Sequence, residues 1–160
     1  MVPLEGIKVI DFTGALSGPY CSMLLGDMGA EIIKVERPKR GDDSRGWGPP
    51  YISENLSTYF ASINRNKKSI SLNIKEPEAR DIIKKLVKES DILLENFRPG
   101  TMEKLGLGYE DMKKINERLI YCSISGFGQD GPYKLKPGYD LILQGMGGLM
   151  SETGEPNGGP

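Results

Sequence analysis

The segment IKVIDFTGALSGPYCSMLLGDMGAEIIKVE, residues 7–36, decides the predicted fold because it contains a strand, a helix and a second strand in one short stretch. The apolar residues within 7–12 and within 31–36 indicate two buried strands. Between them, apolar residues spaced three and four apart predict a helix over 20–28, with Pro19 in its first turn. A strand, a helix and a strand in this order predict a βαβ unit with parallel strands.

Strands and helices continue to alternate along the rest of the chain. The further strands are predicted at 69–74, 91–95 and 119–125, and the further helices at 76–89, 101–105 with Thr101 as its cap, 109–116 and 141–150. The Gly- and Pro-rich residues 37–66 are predicted as a long ligand-binding loop with one helical turn at 58–63. This order predicts an α/β fold, a Rossmann-like, mostly parallel, doubly wound sheet flanked by helices.

The composition limits the classes of partner. A length of 160 residues, with 38% hydrophobic and 27% charged residues, is typical of a globular domain. The apolar stretches are too short to cross a bilayer and the sequence shows no export leader, so we expect a cytoplasmic protein without a membrane partner. A net charge of −1 gives no overall field to attract nucleic acid. Locally, basic residues outnumber acidic ones between Arg37 and Lys68, and this stretch either serves an anionic ligand or is a solvated basic loop.

The absence of histidine restricts the chemistry further. The commonest general base and metal ligand is missing, and no metal site is predicted. Cys21 and Cys122 fit no metal-binding spacing, and we expect two reduced, buried thiols. Any reaction at this chain would have to use a carboxylate, a phenol, an amine or a thiol.

Cationic, amide and aromatic residues directly follow the predicted strands. Arg37 follows the second strand, Lys75 the third, and Asn96, Phe97 and Arg98 the fourth. In an open parallel sheet the carboxyl ends of the strands face the ligand crevice, so we expect these side chains to be displayed along one groove. Guanidinium groups suit phosphates and stack on purines. The pattern favours coenzyme A or a nucleotide as ligand.

A nicotinamide dinucleotide is disfavoured. Residues 14–19, GALSGP, lack the G-x-G-x-x-G spacing, and the sequence has no G-x-x-x-x-G-K-[ST] phosphate loop. Two interpretations of this glycine-containing turn stay open. It either forms only a tight entry into the helix, or it brings the backbone of residues 15–17 against a ligand.

Five segments resemble the class III coenzyme A-transferases, the formyl-CoA transferase and carnitine CoA-transferase family. They are residues 3–12, 26–36, 64–72, 95–100 and 138–142. The resemblance runs from Pro3 to Pro160. It implies that residues 1–160 are the amino-terminal part of a CoA-binding Rossmann-like large domain that ends in a truncated loop, 151–160. It also implies an interlocked homodimer for the full-length protein.

The resemblance implies a set of site residues. The positions that match the family's coenzyme A contacts are Leu16, Ser17, Arg37, Leu72, Lys75, Asn96, Phe97, Arg98, Lys104 and Tyr139. Tyr139 is expected near the thioester, and Asp140 in a supporting role only. Leu16 stands where the formyl-CoA enzyme has a glutamine, which argues against oxalate or formate as substrate. Lys104 stands for an arginine, so it keeps the charge and loses the bidentate fork.

The family reaction implied is transfer of coenzyme A from an acyl-CoA to a carboxylic acid through an aspartyl-CoA intermediate, without a permanently bound cofactor. The nucleophilic aspartate is expected beyond residue 160, so we expect no catalytic residue in this chain and no activity of the chain alone. Two alternatives stay open. A 2-methylacyl-CoA racemase shares the fold, but Tyr139 replaces its histidine, and a phenol with a pKa of about 10 is a poor base. The other is a non-catalytic module that binds coenzyme A or a nucleotide.

Overall fold

The computed structural model describes residues 2–54, 56–155 and 158–159. Pro156, Asn157 and Pro160 of the predicted terminal loop lie outside the described residues. The chain divides into two compact units, residues 1–124 and residues 125–160. Across the part of the chain that the structure describes, no helix has the length and apolar character needed to span a bilayer.

The first unit is built around a parallel sheet. The strands of the chain are β1 (Lys8–Asp11), β2 (Glu31–Glu36), β3 (Tyr51–Ser53), β4 (Leu56–Ser57), β5 (Lys67–Ser71), β6 (Ile92–Glu95) and β7 (Ile120–Ser123). The main sheet has the order β5-β2-β1-β6-β7, and every neighbouring pair is parallel. The strand order reverses direction between β1 and β6. The predicted Rossmann-like α/β sheet is confirmed.

Helices cover both faces of this sheet. They are α1 (Ser17–Asp27), α2 (Thr58–Ile63), α3 (Pro77–Lys88), α4 (Thr101–Lys104) and α5 (Tyr109–Lys113), and the second unit holds α6 (Asp140–Met146). Side chains alternate along a strand, so Val9 and Ile10 of β1 enter two different core clusters. Ile83 and Val87, four residues apart on α3, are fully buried in the cluster around Ile10.

The third predicted strand, 69–74, is displaced by the structure to Lys67–Ser71. Two lysines open the strand because each has an acidic partner. Lys67 lies beside the buried Asp11, and Lys68 pairs with Glu31 on β2. Leu72 leaves the strand and packs against the core instead.

The helix predicted to begin at Tyr20 begins at Ser17. Gly18 permits this earlier start, since a Cβ at that position would lie 2.2 Å from the Thr13 Cβ. Pro19 falls in the first turn, as predicted, where its missing N–H leaves no hydrogen bond unmade. Thr101 does not cap its helix, which was a wrong prediction. Gly100, in the left-handed conformation, occupies the cap position, and it has no side chain that could accept a hydrogen bond.

Other helix ends differ by a few residues. The helix predicted over 109–116 ends at Lys113, and the one predicted over 141–150 runs from Asp140 to Met146 and is followed by a 3₁₀ turn, Leu149–Ser151. The two cysteines are free and only half-buried, so the prediction of buried thiols was wrong. Burial is nevertheless enough to raise the pKa of both thiols.

The predicted loop 37–66 is largely ordered into short elements. A 3₁₀ helix spans Asp43–Gly46, and β3 and β4 form a small antiparallel pair. The helical turn predicted at 58–63 is confirmed as α2, which Ser57 caps by accepting a hydrogen bond from the Phe60 N–H at 2.9 Å. Trp47 stacks edge-on against Tyr59, with ring centroids 5.0 Å apart. Residues 37–54 therefore form a defined wall beside the sheet.

The second unit, described by itself, has an exposed apolar helix. Gly126 and Gly138 approach so closely that a Cβ on either would lie 2.4 Å from the other's Cα. Among the described residues of α6 none is buried, and Leu141 and Met146 are 69% and 59% exposed. Helix α6 therefore carries an exposed apolar surface.

Candidate functional site

The site-bearing edge of the first unit is the one where the parallel strands end. β1, β2, β5 and β6 all terminate there, because their register places Asp11 beside Lys34 and Leu94, and Glu36 beside Ser71. The chain leaves this edge in four segments, residues 12–16, 37–42, 72–76 and 96–100. The first and last flank the point where the strand order reverses, which is where open α/β sheets bind ligands.

The segment after β1 is joined to the segment after β6 by one side chain. The Asn96 Oδ1 accepts a hydrogen bond from the Gly14 N–H at 2.9 Å, and the Asn96 Nδ2 donates to the Gly14 carbonyl at 2.8 Å. Asn96 was predicted to be displayed toward a ligand. In the structure both halves of its amide hold the turn that follows the first strand.

The same turn is held from the other side by charged groups of the β2 region. Lys34 donates from Nζ to the Thr13 carbonyl at 2.6 Å, and the Asp42 Oδ1 accepts from the Ala15 N–H at 3.2 Å. Ala15 has a φ of 66°, a left-handed conformation that a residue with a Cβ rarely adopts. The turn leads into Leu16 and Ser17, both exposed.

Two buried ion pairs lie beneath this turn. Lys34 Nζ is 3.0 Å from Asp42 Oδ2, and Lys67 Nζ is 3.3 Å from Asp11 Oδ2, with all four side chains at most 2% exposed. Burial by itself raises the pKa of Asp42, but the Lys34 charge and hydrogen bonds from Ser44 outweigh it and hold the pKa below its usual value. Burial lowers the pKa of Lys67 to about 8, although Asp11 opposes the shift.

A third pair supports the wall formed by residues 37–54. Arg45 donates from Nε and Nη2 to the two carboxylate oxygens of Glu36, each at 2.7 Å, and the Arg45 guanidinium lies 3.8 Å from the Phe60 ring centroid. Glu36 also accepts from the Ser69 hydroxyl and the Asp42 N–H. Burial raises the pKa of Glu36, yet these donors outweigh burial and lower it to about 2.

A cavity of 530 Å³ opens between this wall and the carboxyl ends of β2 and β5. Its cations are Arg37, Lys39, Arg40 and Arg45. Arg45 is paired with Glu36, and the exposed Arg37 is paired with Asp43 through Nη2. Lys39 and Arg40, both exposed, have no carboxylate within 4.0 Å among the described residues. The cavity can therefore offer guanidinium and ammonium donors to an anionic group.

The predicted contacts do not all reach one surface. Arg37 lines the cavity, whereas Lys75 follows β5 outside its lining. Arg98 is exposed, and so is Lys104 on α4. Leu72 and Phe97 are half-buried and pack against the core cluster around Ile10, so the display expected for Phe97 is limited to one part of its ring.

Tyr139 and Asp140 lie in the second unit, at the start of α6. Tyr139 is 71% exposed and precedes the first helical residue. The Asp140 Oδ2 accepts a hydrogen bond from the Gln144 Nε2 at 2.6 Å, one turn along the same helix. Within residues 2–54, 56–155 and 158–159, no group of three or more carboxylates and thiols is arranged to hold a metal ion.

Sequence reasoning missed the buried charges that shape the edge. Lys34 and Glu36 were predicted as members of a strand, and Asp42 and Arg45 as members of the ligand-binding loop 37–66, with no partner predicted for any of the four. One signal was available, since Lys34 is flanked by Ile33 and Val35 in an otherwise apolar strand. A lysine in such a position requires an anionic partner, but the sequence does not say which carboxylate provides it.

Comparison with known proteins gives consistent matches. The model for CoA-transferase family III matches residues 4–160. Succinyl-CoA:glutarate CoA-transferase of Mus musculus is 53% identical over 160 residues, which are 100% of this chain and 36% of that protein. Succinate--glutarate CoA-transferase of Agrobacterium fabrum is 50% identical over 163 residues, covering 99% of this chain and 41% of that protein.

A solved structure agrees with the fold. The crystal structure of a CAIB/BAIF family protein from Brucella suis matches with a TM-score of 0.94 and 48% identity, over 99% of this chain and 42% of that one. The resemblance inferred from the five sequence segments is therefore confirmed. The chain spans between 36% and 42% of the length of these three relatives.

Proposed function

Since the chain belongs to CoA-transferase family III, we propose that the whole protein transfers coenzyme A from an acyl-CoA donor to a carboxylic acid acceptor. The observation that carries the proposal is the match of the family model over residues 4–160, almost the entire chain. The names of the Mus musculus and Agrobacterium fabrum relatives suggest dicarboxylic acids of the succinate and glutarate type as the first substrates to test.

Coenzyme A is proposed to lie along the carboxyl edge of the sheet. Arg37, at the cavity, and Arg98, beyond β6, offer exposed guanidinium groups to its phosphates. Lys75 and Lys104 add exposed ammonium groups. Leu16 and Ser17 stand at the exposed end of the turn after β1 and are proposed to meet the acyl thioester. Tyr139, in the second unit, is a separate proposed contact of coenzyme A.

The proposed reaction is nucleophilic catalysis by an aspartate that follows residue 160. Its carboxylate attacks the thioester carbonyl of the donor, the C–S bond breaks, and an acyl aspartyl anhydride and coenzyme A thiolate form. The thiolate then attacks the aspartyl carbonyl, which releases the donor acid and leaves an aspartyl-CoA thioester. The acceptor carboxylate attacks that thioester, and the returning thiolate takes the acceptor acyl group, which restores the aspartate.

In this scheme the residues of the chain bind and orient and do not bond covalently to the substrate. Asp140 supports only the start of α6, where it already accepts from Gln144. No permanently bound cofactor is needed, because every step exchanges an acyl group between oxygen and sulfur. The active form is proposed to be an interlocked homodimer in the cytoplasm.

The isotopic path of oxygen tests this mechanism. The full-length protein is supplied with succinyl-CoA and ¹⁸O-labelled glutarate, and the acids and CoA esters are analysed by mass spectrometry. Each turnover should move one acceptor oxygen to the aspartate, and a later turnover should pass that oxygen to the released succinate. In a single turnover with enzyme in excess, the aspartate route should release unlabelled succinate and leave one ¹⁸O on the enzyme. Label in succinate from that first turnover would overturn the covalent mechanism, because direct transfer passes an acceptor oxygen straight to succinate.

Proton exchange and coenzyme A binding separate the two alternative functions, a racemase and a binding module. A racemase would exchange the proton alpha to the thioester carbonyl with deuterated water and would form no new CoA ester. Tyr139 in place of an imidazole gives that reaction less support, since a phenol is a poor base at neutral pH. A binding module would retain affinity for coenzyme A and catalyse neither reaction with any acyl-CoA and acid in a panel.

A further inference from the structure

The Asn96 amide is committed to the backbone of a single residue. It accepts from the Gly14 N–H and donates to the Gly14 carbonyl, across 82 residues of sequence. The amide cannot turn toward a ligand without breaking both hydrogen bonds. Asn96 is half-buried, whereas Arg98, two residues later, is exposed.

The turn that Asn96 holds has a conformation that requires support. Ala15 adopts a φ of 66°, which costs roughly 1–2 kcal/mol for a residue with a Cβ. Asp42 accepts from the Ala15 N–H, and Lys34 donates to the Thr13 carbonyl. Three consecutive backbone units are thus fixed by side chains from three different segments, and the next two residues, Leu16 and Ser17, are exposed.

We propose that Asn96 is a positioning residue, whose side-chain amide fixes the turn of residues 14–17 so that Leu16 and Ser17 meet the acyl thioester in one geometry. With both halves of the amide held by Gly14, any contact of Asn96 with coenzyme A is made by its backbone. This inference rests on the proposed function, which places Leu16 and Ser17 against the acyl group. Arg37 and Arg98 lie outside the turn. Loss of the Asn96 hydrogen bonds should therefore slow transfer while leaving the affinity for free coenzyme A intact.

Asn96→Asp in the full-length protein tests the inference. The carboxylate keeps the shape of the amide and still accepts from the Gly14 N–H, but it sets a negative oxygen against the Gly14 carbonyl. At about pH 8 we expect kcat to fall on the order of ten- to a hundred-fold, while the Kd of coenzyme A in calorimetry stays within about two-fold.

A protonated aspartic acid can donate to the Gly14 carbonyl again, as the amide does. The ratio of variant to wild-type kcat should therefore rise as the pH falls from about 8 to about 5. The charged groups around the turn are Asp11, Lys34, Asp42 and Lys67, with Glu95 next to Asn96 in the chain, and all of them are present in both proteins, so their contribution is common to the two kcat values. Asn116→Asp is the matched control, since Asn116 also donates to two backbone carbonyls, of Val87 and Ser90, at 3.0 and 2.7 Å. The ratio of Asn116→Asp to wild-type kcat should not change with pH.

Weaker binding of coenzyme A by about ten-fold, or a ratio that is flat with pH, would overturn the inference and make Asn96 a ligand contact or only a stabilising residue. The proposed function can fail separately, if the wild type transfers coenzyme A between no pair in the panel. Amide hydrogen exchange of residues 12–17 then decides. Faster exchange in Asn96→Asp than in Asn116→Asp would support the role of Asn96 in fixing this turn, and equal exchange in the two variants would overturn that role.

Discussion

Replacing Glu36 by glutamine is expected to lower the free energy of unfolding by about 3 kcal/mol at neutral pH. The glutamine keeps the size of the side chain but removes the charge that faces Arg45. Arg45 is 29% exposed and donates two hydrogen bonds to Glu36 at 2.7 Å. The substitution would leave a largely buried guanidinium without a counter-charge, and breaking such a pair is more costly than never forming it.

The magnitude follows from the pKa of Glu36. The ordinary carboxyl value of 4.5 falls to about 2 in the folded protein, because hydrogen bonds from Arg45, Ser69 and the Asp42 N–H outweigh the effect of burial. The difference of about 2.5 between the two pKa values, at about 1.4 kcal/mol for each pH unit, corresponds to between about 3 and about 4 kcal/mol. Removing one member of a buried pair costs roughly 3–5 kcal/mol in other proteins, which is consistent with that figure.

The stabilisation has a defined pH range. Since the folded pKa is lower than the unfolded pKa, the unfolded chain binds the proton more readily. The contribution of Glu36 is therefore complete above about pH 5 and is lost as the pH falls toward about 2. In the Glu36→Gln variant this part of the pH dependence should be missing.

The assay is hydrogen exchange against urea concentration, read by mass spectrometry on peptides from residues 31–46. Such peptides report the opening of this region whatever the length of the chain. Glu31→Gln is the matched control, because it makes the same substitution on the same strand in the exposed pair with Lys68. Exposed ion pairs contribute little to stability, so the control should change the free energy of opening far less.

If Glu36→Gln and Glu31→Gln lowered the free energy of opening equally at neutral pH, the pair of Glu36 and Arg45 would contribute no more than an exposed pair. The same conclusion would follow if the free-energy difference between wild type and Glu36→Gln did not shrink between about pH 5 and about pH 2. Either result would mean that Arg45 finds a counter-charge elsewhere or that water reaches the pair.

Three further expectations concern a glycine, a ligand contact and the isolated chain. Gly18→Ala should destabilise the protein by at least about 1 kcal/mol, because the added Cβ would lie 2.2 Å from the Thr13 Cβ, whereas Gly46→Ala meets no atom within 4 Å. Equal melting temperatures of the two variants would contradict this. Arg37→Ala should weaken coenzyme A binding by about ten-fold in calorimetry of the full-length protein, with Arg118→Ala unchanged, and unaltered affinity would remove Arg37 from the site. The 160-residue chain alone should associate through the exposed apolar residues of α6, so a monodisperse, cooperatively melting monomer in sedimentation would be evidence against that surface.

Strands with mostly apolar interiors were predictable from the sequence. Residues 31–36 coincide with β2, and 91–95 differs from β6 by one residue. The third strand was misplaced because it opens with two lysines, whose partners Asp11 and Glu31 are distant in sequence. Local patterns do not reveal a partner that only the folded sheet brings near.

The sequence predicted where the residues of the candidate site lie better than it predicted what their side chains contact. The rule that ligands meet the carboxyl ends of parallel strands predicted that Arg37 and Arg98 share one edge of the sheet, and both are exposed there. Asn96 and Phe97 lie at the same edge, but one holds Gly14 and the other packs partly on the core. Adjacent residues at a strand end point in different directions, so sequence position alone does not decide which of them can reach a ligand.

The order of strands and helices, the parallel sheet and the resemblance to a family that transfers coenzyme A were predictable from the chain alone, because apolar periodicity and short motifs are local properties. The folded sheet was needed to show that Lys34 pairs with Asp42, that Glu36 pairs with Arg45 and that Asn96 fixes Gly14. These contacts join residues separated by 8 to 82 positions. A buried charge is tolerated only where a partner meets it in space, and that condition depends on how the strands are ordered in the sheet.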